Sequence, residues 1–173
     1  MFRILLVLIL TGCGGNTKNS DLIDLGDPCE PGPDPEIEIG HGELRFESID
    51  SENTQVELIH GPQGGYHSNI AIRAAYIDPE SSYKLELTGT IDDTVMGETV
   101  PWISFRCSRA ANALQSTGSL LIWDAEPEEL HGKVAHVRAD LYNPDEEDST
   151  DDGLALPAAS STTHYTIWDP NLE

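Results

Sequence analysis

Basic residues are scarce in this chain. Lysine and arginine together number 9 among 173 residues, against 31 aspartates and glutamates, for a formal net charge of -22. That balance excludes the basic face with which proteins grip a phosphate backbone, so no nucleic acid is expected as a partner. Long apolar runs are also missing. The longest, residues 4–10, has seven residues, where a spanning helix needs about 20. No nucleophile elbow, HExxH, CxxC, phosphate-binding loop or EF-hand loop occurs, which leaves no positive reason to propose an enzyme. What remains is ordinary for one globular domain, with 38% apolar residues and 15 glycines.

The first residues carry an address. Arg3 precedes the short apolar run, and small residues follow it, the layout of a secretory signal. The tetrad Leu10-Thr11-Gly12-Cys13 resembles the lipobox of bacterial lipoproteins. The resemblance implies cleavage after residue 12, diacylglycerol on the Cys13 thiol and acylation of the new amino terminus. Several acyl chains at about 0.8 kcal/mol per buried methylene make such an anchor effectively permanent. Gly14 in place of aspartate implies onward transport to the outer membrane where the source has two membranes. An exported protein meets neither ATP nor nicotinamide cofactors and sits in an oxidising compartment, which argues further against most metabolic enzyme classes.

Residues 13–35 are rich in Gly, Asn, Ser, Asp and Pro and end in DPCEPGPDPE, a composition that builds no regular element. They read as a flexible tether, with a coil dimension of roughly 26 Å, that holds the acidic domain clear of anionic headgroups. From residue 36 to 169 apolar residues recur at every second position. Tyr83, Leu85, Leu87 and Ile91 alternate with Lys84, Glu86, Thr88 and Thr90, and Ala135, Val137, Ala139 and Leu141 with His136, Arg138, Asp140 and Tyr142. Further runs fall at 37–39, 44–49, 55–60, 66–76, 100–107, 119–123 and 163–168, about nine short strands in all. Ala110, Ala111, Ala113 and Leu114 suit a short helix or a wide loop. One-sided alternation with close turns predicts an all-β fold, an immunoglobulin-like antiparallel β-sandwich, with a jelly roll or small barrel as the alternative.

Four features offer chemistry. Cys107 shares a side with Ile103 and Phe105, so it is either a buried thiol or half of a disulfide to Cys29 that pins the tether's end. His60 and His67 flank the GPQGG turn, where zinc or copper would accept their nitrogens, although strand parity sets them on opposite sides. The run from 145 to 152 holds six acids, Asp145, Glu146, Glu147, Asp148, Asp151 and Asp152. It reads as a solvated acidic loop or, alternatively, as a calcium site. Trp102 falls opposite in parity to Ile103 and Phe105, as an outward aromatic that can stack on a sugar or anchor a partner.

The phrases IEIGHGELRF, LIHGPQGGYHSNIAIRA and LHGKVAHVRADLYN together resemble myxobacterial-type secreted lipoproteins with a GPQGG-x-His turn, over most of residues 36–142. The resemblance implies a β-sandwich at the cell envelope and brings no catalytic residues with it. The expectation is therefore a lipid-anchored envelope protein, non-enzymatic and without an obligatory cofactor, whose sandwich binds an envelope protein or polysaccharide or serves a structural role. The alternatives are a module binding calcium, zinc or copper and, more distantly, a carbohydrate-active enzyme with two carboxylates facing one cleft.

Overall fold

The computed structural model of the chain describes residues 27–62, 64–143 and 156–172. The lipobox with Cys13 and the acidic run 145–152 lie outside the described residues. The described residues form twelve strands and one turn of helix: β1 (Glu36–His41), β2 (Glu47–Ser48), β3 (Gln55–Glu57), β4 (Ile59–His60), β5 (Tyr66–Ala75), β6 (Ser82–Ile91), β7 (Thr94–Thr99), β8 (Trp102–Ser104), β9 (Arg106–Ser108), β10 (Ala113–Trp123), α1 (Pro127–Leu130), β11 (Val134–Tyr142) and β12 (Ala159–Trp168). Alternation explains the long ones. In β6 and β11 every second side chain is buried and its neighbours are not, because successive residues point to opposite faces of a sheet.

The fold is an all-β sandwich. One layer runs β2-β1-β5-β10, with β4 and β9 continuing its edges, and the other runs β7-β6-β11-β12-β3, with β8 beside β6. Ile39, Ile70, Ile72, Leu114 and Leu121 of the first layer share one apolar core with Leu85, Leu87, Val137, Leu141, Tyr165 and Ile167 of the second. All pairings are antiparallel except that of β12 with β3, which is parallel. Two short segments change layer. Residues 55–60 leave β12 as β3 and join β5 as β4, and residues 102–108 leave β6 as β8 and join β10 as β9. At each crossing the intervening side chain, Leu58 or Phe105, is buried in the core. Sandwich corners are commonly made by strands that switch sheets in this way.

The two layers meet at Trp123. Its single register partner on β7 is Gly97, and Gly97 in turn pairs with Gly89 of β6. The indole lies across both glycines: a Cβ on Gly89 would sit 2.6 Å from the indole Cη2, and one on Gly97 would sit 2.9 Å from its Cε3. Its Nε1–H donates to the buried Ser68 hydroxyl at 3.1 Å, so the polar end is satisfied inside the core.

β7 is an additional strand and the run 100–107 is broken at Phe105, while Ala110 and Ala111 take the loop alternative, in a turn, and Ala113 and Leu114 open β10. The segment 27–35, assigned above to the tether, is docked on the domain. Gly32 N donates to Tyr76 O at 2.8 Å and Tyr76 N to Pro28 O at 3.0 Å. Cys29 is disulfide-bonded to Cys107 on β9, with Cα atoms 5.6 Å apart. Proline-rich sequence cannot form a ladder by itself, yet two backbone bonds and one covalent link hold it here.

Two expectations follow. Gly89→Ala forces a methyl into a rigid ring and lowers the unfolding midpoint in urea, whereas Trp123→Ala costs about 3 to 5 kcal/mol through the cavity it leaves. Replacing both Cys29 and Cys107 by serine opens a loop with a sequence separation of 78. That change lowers stability by about 3 to 5 kcal/mol in non-reducing denaturant titrations and removes their sensitivity to reductant.

Candidate functional site

The antiparallel pairing of β4 with β5 puts His60 opposite Tyr66 and Ile59 opposite His67. Residues opposite one another share a face, and successive residues do not. His60 therefore points to one side of the layer with Tyr66, and His67 to the other with Ile59. The two histidines do not converge, as strand parity predicts, and do not form a zinc or copper pair.

His60 has a different partner. Its Nε2–H donates to Asp169 Oδ2 at 2.8 Å, and its ring meets that of Tyr66 edge-on at 5.0 Å between centroids. Asp169 is fully buried, just past the end of β12. Its Oδ1 accepts from the Asn171 backbone N at 2.8 Å and from Asn171 Nδ2 at 3.0 Å, and its own N–H donates to His131 Nδ1 at 3.0 Å. Tyr66 Oη donates to Glu126 Oε2, beside α1, at 3.2 Å. Burial raises the Asp169 pKa, but the hydrogen bonds from Asn171 and His60 outweigh it and leave the group below its ordinary value. An aspartate that orients a histidine is also the supporting half of a catalytic base. Here the pair latches the C-terminal residues to β4 and to the helix.

The second cluster covers the outer face of β8-β6-β11-β12. Lys84 is in register with both Trp102 and Tyr142, so these three side chains form one row. Trp102 is 58% exposed while its neighbour Ile103 is buried. Lys84 Nζ lies 5.0 Å from the centre of the Tyr142 ring and 3.1 Å from Glu86, and Tyr142 Oη donates to Glu86 Oε2 at 3.1 Å. Across the next two rows Arg138 donates twice to Asp140, at 2.6 and 2.9 Å, and the Ser160 hydroxyl donates to the same carboxylate. Burial works against ionisation of Asp140, but those bonds prevail and lower its pKa. Beyond them Thr88, Thr90, His136, Arg138, Thr162 and His164 line a shallow depression of about 430 Å³. The result is a flat, hydrogen-bonding platform with one exposed indole near its end.

The chain is similar in strand arrangement to a bacterial adhesin from Mobiluncus mulieris. That adhesin contains intramolecular disulfide, isopeptide and ester bond cross-links, and two crystal forms of it match with TM-scores of 0.48 and 0.47 at 7% and 6% identity. The matches cover 78% and 76% of this chain and 58% and 57% of the adhesin chain, so this chain spans less than two thirds of the protein it resembles. No family model and no curated protein matches it.

Sequence reading singled out Trp102 and His60 but missed Asp169, whose role depends on a contact across 109 positions. The only local signal was an acid following a period-two run. The latch predicts a pH signature. Since folding lowers its pKa, Asp169 contributes stability above its ordinary value of 3.8, and the contribution is lost as pH falls through the lower folded value. Asp169→Ala is expected to be about 2 to 3 kcal/mol less stable than the parent at neutral pH. The gap closes as the pH is lowered through the acid range, as read from denaturant midpoints of the two proteins.

Proposed function

We propose that this chain is a lipid-anchored envelope module, non-enzymatic, that binds a polysaccharide through the outer face of β8-β6-β11-β12. The observation that carries this reading is the exposed Trp102 indole, set in one row with Lys84 and Tyr142, with the Glu86 and Asp140 carboxylates in the next row and the Arg138 guanidinium in the row beyond. An indole face stacks on the apolar face of a sugar ring, and carboxylates and hydroxyls at its side accept and donate to ring hydroxyls. Lys84, Glu86 and Tyr142 are already tied to one another, as are Arg138 and Asp140, so those side chains lose little entropy on binding. The Cys29–Cys107 disulfide belongs in an oxidising compartment and agrees with export. Lipid on Cys13 would hold the domain at the membrane while its net charge of -22 keeps it off anionic headgroups.

Sedimentation of the full chain with purified envelope polysaccharide tests the reading. Trp102→Ala should weaken binding by about thirtyfold, the size of an aromatic hot spot of about 2 kcal/mol, without moving the unfolding midpoint. Equal binding by parent and variant, or turnover of the polymer, would contradict it. Labelled fatty acid should enter the parent and not Cys13→Ala.

A further inference from the structure

At the far end of the same sheet face two histidines stand side by side. His136 on β11 and His164 on β12 are direct register partners, both exposed on the outer surface, with ring centroids 5.8 Å apart and ring planes inclined at 43°. We propose that this pair is a binding site for a late divalent transition metal ion, copper(II) above nickel and zinc. It stands apart from the polysaccharide reading, since neither Trp102 nor its row takes part.

The spacing supports it. Two imidazoles that each coordinate one ion through a ring nitrogen at about 2.0 to 2.1 Å hold their centroids about 4.5 Å apart at the right angle of a tetragonal copper(II) or nickel site, and about 5 to 6 Å apart for tetrahedral to moderately opened angles. At 5.8 Å between centroids the rings stand within reach of one ion, and rotation of the side chains alone brings their nitrogens to it. β11 is paired on both sides, with β6 and with β12, so His136 rides on a strand that cannot shift independently of His164, and Thr90 Oγ1 donates to the His136 carbonyl at 3.3 Å. Sites carried on regular elements lose less precision than sites carried on loops.

The surroundings suit a cation. Thr88, Thr90 and Thr162 add neutral hydroxyls to the depression. Arg138, which also lines it, has its charge taken up by both oxygens of Asp140. The net charge of -22 enriches divalent cations around the whole molecule. Neutral imidazole selects copper, nickel and zinc, whereas calcium and magnesium require a shell of oxygens. Among the described residues no third histidine, cysteine or carboxylate completes the group, so the remaining positions are open to water or to a donor atom from a bound partner.

Copper(II), nickel, zinc and calcium are titrated separately into the full chain. The expected result is one copper(II) with two-nitrogen hyperfine coupling in its electron paramagnetic resonance spectrum, weaker nickel and zinc, and no response to calcium at this pair. Zinc should shift the ring resonances of two of the six histidines, those of His136 and His164. His136→Ala and His164→Ala should each weaken copper binding by about tenfold or more, and His67→Ala should leave it unchanged. The nuclear magnetic resonance measurement needs no variant and stands if a substitution disturbs folding. Undiminished copper binding in the double variant, zinc shifts at other histidines, or no binding of any of the three transition metals would overturn the proposal.

Discussion

The fold depends on the contact of the Trp123 indole with Gly89 and Gly97. At this point β10 of one layer is joined to β7 of the other, and a flat ring occupies the space that two absent side chains leave free. A ring of this size in a close-packed interior has few alternative positions. The hydrogen bond from its nitrogen to Ser68 on β5 adds direction to the packing. Burying the indole and keeping that bond requires β5, β6, β7 and β10 to assume their observed relation.

The segments that change layer act with this contact. Residues 55–60 and 102–108 each place a large apolar side chain, Leu58 and Phe105, in the core at the crossing, and each delivers a polar or aromatic residue to a surface. The first carries His60 to the buried Asp169 carboxylate. The second carries Trp102 to the outer face beside Lys84, then continues as β9, where Cys107 binds Cys29. Corners that close the sandwich therefore also position the groups through which it can act. Through the disulfide, the docked segment 27–35 is part of that frame.

Much of the long-strand structure was legible because a half-buried strand in water must alternate. The outward residues of β6 and β11, from Lys84 to Thr90 and from His136 to Tyr142, could be read one strand at a time. Parity alone likewise separates His60 from His67. β7 was not legible: Thr94–Thr99 offers only Val95, Met96 and Gly97 in place of an alternating apolar series, and its place depends on the lack of side chain at Gly97. Residues 27–35 were legible only in part. Cysteine placement offered the link to Cys107 as one of two alternatives, whereas the backbone bonds to Tyr76 are not announced by proline-rich composition.

By itself the sequence determined the all-β character, the inward and outward residues of the principal strands and the excess of negative charge, because these follow from periodicity and composition along one strand. The motif at Cys13 was likewise local. Which strands lie side by side was decided only in the folded chain. Asp169 beneath His60, Tyr142 against Lys84 and His164 opposite His136 are contacts between residues 109, 58 and 28 positions apart. Their closeness is a property of register and of layer crossings, set by the packing of one shared core, and no local pattern encodes it.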